Sequence, residues 1–116
     1  MTMLVYLMKP DKDLTLESFA EHFFKPLSVP FKKRESSHAP NGYYFSGDYE
    51  NTVFCVYIGD LKGFEDMPFR ISASSKNIDI ETRVDTFLRN EFLSNGYKLI
   101  KFAPNNLPGE TWVELK

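Results

Sequence analysis

From Val53 to Ile58 every residue is apolar, inside the run Asn51-Thr-Val-Phe-Cys-Val-Tyr-Ile-Gly-Asp60. An extended chain sends alternate side chains to opposite faces, so Val53, Cys55 and Tyr57 share one face and Phe54, Val56 and Ile58 the other. A strand solvated on one side alternates apolar with polar residues. This one is therefore expected to be covered on both faces. Helices, a second sheet or another protein chain are the available covers.

Residues 3–8 repeat the pattern, with Met3, Val5 and Leu7 against Leu4, Tyr6 and Met8, and read as a second central strand. Two segments carry helical periodicity. Leu16, Phe19, Ala20, Phe23 and Phe24 form one stripe over about residues 15–25, with Thr15 or Asp13 as cap and Pro26 as stop. Ile80, Val84, Phe87, Leu88 and Phe92 form another over about 78–95, which Asn95-Gly96 ends. Asp79–Arg83 and Asp85–Arg89 have the spacing of favourable pairs along that helix.

Between the helices, residues 29–35 read as a strand that Pro30 restricts to an edge or a strand start. Residues 43–46 and 52–59 read as a hairpin joined by a polar turn at 47–51. Phe69, Ile71 and Ala73 alternate inward against Arg70, Ser72 and Ser74. Residues 97–102 and 111–115 complete the list of strands, separated by a Pro- and Asn-rich loop at 104–109. The order β-α-β-β-β-β-α-β-(β) predicts a single layered α+β domain over residues 1–116, with a mostly antiparallel sheet and two amphipathic helices. Both helix stripes fit one sheet face. The second apolar face of 53–58 then needs a curled sheet or a partner subunit.

The chemistry is sparse. The formal charge of −2 argues against general affinity for nucleic acid. One cysteine permits no intrachain disulfide or zinc-type cysteine spacing, and points to a reducing, cytoplasmic setting. Cys55 itself reads as a buried, inert thiol. His22 and His38 are isolated, and neither suggests a metal site. Asp60-Leu-Lys62 resembles half of a metal-dependent nuclease motif, with Asp48 as the missing carboxylate. An extended run at roughly 3.3 Å per residue, however, sets those two acids about 30 Å apart. No phosphate-binding glycine loop is present. No apolar run approaches a membrane span, and residues 3–8 are too short for a signal sequence. No cofactor or metal is expected.

What remains is a surface. Tyrosines and Phe64 interleave with Asp48, Glu50, Asp60, Glu65 and Asp66, and aromatic anchors with acidic neighbours suit capture of a basic protein. The two loops flanking 53–58 lie at opposite ends of that strand. Phe64, in a polar loop and in need of burial, favours the 60–66 end. Tyr57, Asp60, Phe64, Glu65 and Asp66 are accordingly the expected partner-binding residues, with no catalytic residue assigned. The expectation is a non-enzymatic protein-binding module of the immunity or inhibitor kind that neutralises a basic toxin or enzyme. The alternative is a small-molecule-binding or enzymatic domain with an aromatic pocket between sheet and helices and His38 or an acid as its polar group. A homodimer closed through the exposed sheet face or an edge strand is compatible with either.

Overall fold

Alternation and amphipathic stripes set the layers. The computed structural model describes residues 2–77, 79–102 and 112–115. Its elements are β1 (Thr2–Lys9), α1 (Leu16–Phe24), β2 (Lys32–Glu35), β3 (Tyr43–Tyr49), β4 (Thr52–Ile58), β5 (Phe69–Ser75), α2 (Ile80–Glu91), β6 (Lys98–Phe102) and β7 (Trp112–Glu114). All seven strands form one sheet in the order β2-β3-β4-β5-β1-β6-β7, and every neighbouring pair is antiparallel. This is the α+β architecture expected. β2 is an edge and starts after Pro30, and β1 lies between β5 and β6. No helix among the described residues is long and apolar enough to cross a membrane.

Both helices pack on one face. Leu4, Tyr6 and Met8 of β1, Phe54 and Val56 of β4, and Phe69, Ile71 and Ala73 of β5 join the apolar stripes of α1 and α2 in one core. Its centre is aromatic. Phe19 stacks on Phe69 at 4.1 Å, and Phe23 sits among Phe24, Phe54, Phe87 and Phe92. Each fully buried ring contributes about 2–3 kcal/mol. Thr15 caps α1 by accepting a hydrogen bond from the Ser18 backbone N–H at 3.1 Å.

Several boundaries differ from the sequence reading. β3 continues through Gly47, Asp48 and Tyr49, so the turn is only Glu50 and Asn51, both at positive φ (49° and 64°). That geometry matches the primed two-residue turn which follows strand twist. Gly47 belongs inside the strand because the Phe24 ring occupies its side-chain space. A Cβ there would lie 2.7 Å from Phe24 Cε1. β2 starts only at Lys32, while Val29 and Phe31 pack on the core ahead of it. α2 ends at Glu91, and the chain tightens into a 3₁₀ turn over Leu93–Asn95 before Gly96 at φ 89°. β6 starts at Lys98 and β7 spans Trp112–Glu114, while the expected loop at 104–109 lies outside the described residues.

The larger correction concerns β4. Thr52, Phe54 and Val56 are buried under the helices, but on the other face Val53 is 40% exposed and Cys55 and Tyr57 are only half-buried. Two helices fill one side of the sheet and leave no second layer over β4 among the described residues. Among the described residues the expected cover is present on one face of β4 only, and Cys55 is half-buried rather than buried.

Polar side chains tie α2 to the sheet. The Tyr6 hydroxyl donates to Asp85 Oδ1 at 2.6 Å, and Lys101 Nζ donates to Asp85 Oδ2 at 2.8 Å and pairs with Glu81. Arg83 reaches Glu50 of the β3–β4 turn at 2.6 Å. Glu81, Arg83 and Asp85 thus pair with the sheet and its β3–β4 turn. Burial raises the Tyr6 phenol far above its usual pKa, and the Asp85 hydrogen bond and charge add to it. Burial alone would lower the Lys101 ammonium, but Asp85 and Glu81 outweigh it and the net shift is upward.

Candidate functional site: the uncovered face of the sheet

Strand register assembles the site. Residues directly paired across a ladder share a face. Arg34 pairs with Tyr44, Tyr57 with Arg70, Arg70 with Leu7, Leu7 with Ile100, and Ile100 with Glu114. Tyr44 stacks on Tyr57 with ring centroids 4.8 Å apart. One continuous row therefore crosses the sheet from β2 to β7 on the face away from the helices, with Arg70 of central β5 at its middle. The Arg70 guanidinium lies 4.4 Å above the Tyr57 ring. Such a cation–π contact gives about 0.5–1 kcal/mol at an exposed site and holds Arg70 flat on the sheet.

Two further rows lie beside it. Lys32, Ser46, Cys55 and Ser72 follow one another from β2 to β5. Val53, Ser74 and Met3 follow in the next. Met3 is 64% exposed, the most exposed large apolar residue among those described.

The loop 60–67 covers the opposite half of the same face. Phe64 packs on Trp112 at 5.7 Å, and Phe64, Met67 and Trp112 cluster over Leu7 and Ile100, which are buried. Phe64 thus finds its burial within the chain and anchors the loop. Glu65 and Asp66 remain exposed at its crest, and a Glu65 carboxylate oxygen accepts from the Gly63 N–H at 3.2 Å. At the loop's foot a groove of about 210 Å³ opens between Asp60, Leu61, Arg70, Phe102 and Trp112, floored by Val5 and Leu7. Burial, then the neighbouring Cys55 and Tyr44, raise the Tyr57 phenol to about 12, so it stays neutral here.

The five residues expected from sequence therefore fall at one end of one face. Tyr57 lies beneath Arg70, Asp60 lines the groove that Arg70 also lines, Glu65 and Asp66 are exposed on the loop, and Phe64 is half-buried under it. Sequence reasoning missed Arg70, Tyr44 and Trp112 as members of this surface. The outward position of Arg70 in its alternating strand was a usable signal. Nothing in the sequence placed Trp112 opposite Phe64.

A separate groove of about 230 Å³ opens on the helix side, between the end of α1 and α2, with Leu27, Tyr49, Phe54, Ile80 and Phe87 among its lining and the Glu50–Arg83 pair at its edge. His38 is an exposed loop residue that does not line it. Among the described residues no group of three or more His, Cys, Asp or Glu is arranged to hold a metal ion. Asp48 and Asp60 sit at opposite ends of β4: Asp48 pairs with Val53, and Asp60 follows Ile58.

No model of a known protein family matches the chain, and no curated protein matches it in sequence. Function has to be read from this surface.

Proposed function

We propose that this chain is a protein-binding module that seats a partner on the uncovered face of its sheet. One observation carries the reading: exposed Met3 and Val53, the Tyr44–Tyr57–Arg70 stack and half-buried Cys55 form one connected apolar and aromatic surface, walled on one side by the 60–67 loop. A contiguous patch of this kind, rimmed by polar groups, is what interaction sites expose. Tyrosine and arginine are the side chains that most often anchor interfaces. Asp60, Glu65 and Asp66 on the wall favour a partner with positive charge, which supports the narrower reading of an inhibitor or immunity protein.

The test is a photo-crosslinking residue placed at Val53 and, as a control, at exposed Thr86 on α2. Cross-linking to a protein chain is expected from position 53 and not from 86. Equal or absent cross-linking at 53 would refute the assignment.

A second reading has its own observation, the helix-side groove. Its lining is largely apolar, with the Glu50–Arg83 pair and Glu91 at its polar edge, and suits a small apolar ligand. Protection of Phe87 and Ile80 signals in ligand-screening NMR would support it, and a silent groove would remove it.

A further inference from the structure

We infer that the chain seated on this face is a second copy of the same protein, an inference that rests on the protein-binding reading above. The face is divided about its middle strand. On the β2–β3–β4 side it is open and ends in cationic Lys32 and Arg34. On the β1–β6–β7 side it is covered by the 60–67 loop and ends at β7 in acidic Glu114, with exposed Glu65 and Asp66 on the loop beside exposed Lys62 and the Lys9–Lys98 pair of β1 and β6. β5 lies between the halves as the fourth of seven strands.

A two-fold axis running along β5 lays each half on its opposite. β4 then faces β1 of the other copy, β3 faces β6, and β2 faces β7. In the outer row Val53 meets Met3, the two most exposed apolar side chains on the face. In the row through Arg70, the open Tyr44–Tyr57 floor of one copy receives the Phe64-anchored loop of the other. This brings Glu65 and Asp66 toward Arg34 and Lys32, with Glu114 at the same cationic edge. The axis passes over Ser72 and Ser74, small side chains that let two backbones approach. Two Arg70 guanidinium groups meet there, each 4.4 Å from its own Tyr57 ring and each sharing a groove with Asp60.

Such pairing is isologous, the commonest closed symmetry. Six strand spacings of about 4.8 Å give roughly 30 Å of width. Two side-chain rows span that width and the Val53–Ser74–Met3 row about half of it, which projects roughly 500 Å² against the about 800 Å² per partner of a standard interface.

The experiment is sedimentation equilibrium on the wild type and on two charge-reversed proteins, Lys32→Glu/Arg34→Glu and Glu65→Lys/Asp66→Lys/Glu114→Lys. All five residues are exposed, and unchanged far-UV circular dichroism verifies folding. The wild type is expected at twice the chain mass of 13.5 kDa. Each charge-reversed protein alone is expected to lose at least about tenfold in association, the equivalent of about 1.4 kcal/mol. An equimolar mixture is expected to recover the dimer, because the reversed edges complement each other. A wild type that stays monomeric at several hundred micromolar overturns the inference, and so does a dimer that neither charge set perturbs. In either case the cross-linker at Val53 separates the two claims. A different protein captured there leaves the protein-binding reading standing without self-association, and no capture removes both.

Discussion

Asp85→Ala should be among the most damaging single changes on α2, although Asp85 lies on a helix face that otherwise reads as polar. Its two oxygens hold the Tyr6 hydroxyl at 2.6 Å and the Lys101 ammonium at 2.8 Å, and the Asp85 and Lys101 side chains are only 13% and 14% exposed. Truncation leaves the phenol of Tyr6, itself fully buried, without an acceptor, which costs about 1–3 kcal/mol. Lys101 keeps Glu81, so the about 3–5 kcal/mol of a fully orphaned buried charge applies only in part. The expected loss is about 3 kcal/mol, or roughly 12 °C in Tm for a domain of this size. Tyr6→Phe alone removes one charge-assisted hydrogen bond and should cost about 1.5 kcal/mol. The double variant should cost about 1 kcal/mol less than the sum, because no phenol is then stranded. Urea denaturation followed by far-UV circular dichroism measures all three. Strict additivity, or an Asp85→Ala loss under about 1 kcal/mol, would refute the claim that this carboxylate bridges helix and sheet as one unit.

Two further outcomes follow from the same geometry. Stability should fall in alkali: Tyr6 and Lys101 bind their protons more tightly folded than unfolded, so their contribution is complete below about pH 10 and is lost as pH rises toward the folded values. Urea midpoints at pH 8 and pH 11 should differ, less so in Tyr6→Phe, and equal midpoints would contradict the shifts. Asn51→Gly should stabilise by about 0.5 kcal/mol, because Asn51 occupies the second left-handed position of a two-residue turn where glycine is favoured. A lowered Tm would show that the turn is not of that type in solution.

Most of the fold was legible because period-2 and period-3.6 patterns are local. Leu16 to Phe24 declares its own stripe, and Pro30 limits its segment to an edge or a strand start before any partner strand is known. Failures came where a distant residue decides the outcome. Gly47 reads as a turn until Phe24, more than twenty positions earlier, is seen to fill its side-chain space. Asp85 reads as half of a helical pair with Arg89 until Tyr6 and Lys101 arrive from two strands. The candidate site was legible in the same partial way. Tyr57, Asp60 and the 60–66 loop stand out as aromatic and acidic, but the row that joins them to Arg70, Tyr44 and Arg34 exists only once register is known.

That row also shows why the open face differs from an ordinary solvated one. The same sheet contains the usual device for facing water: β2 is Lys-Lys-Arg-Glu, wholly exposed and charged, as an unprotected edge should be. β5 uses another, placing Arg70, Ser72 and Ser74 outward. β4 uses neither, and β1 only at its last residue, Lys9. They put Met3, Val5, Val53, Cys55 and Tyr57 on that surface, where one serine or threonine per position would cost the fold little, since the helix-side core is complete without them. Apolar side chains on either side of a polar central strand, Tyr44, Val53 and Tyr57 against Met3, Val5 and Trp112, suit a two-fold pairing of β4 with β1, and hydration alone gives no reason for them.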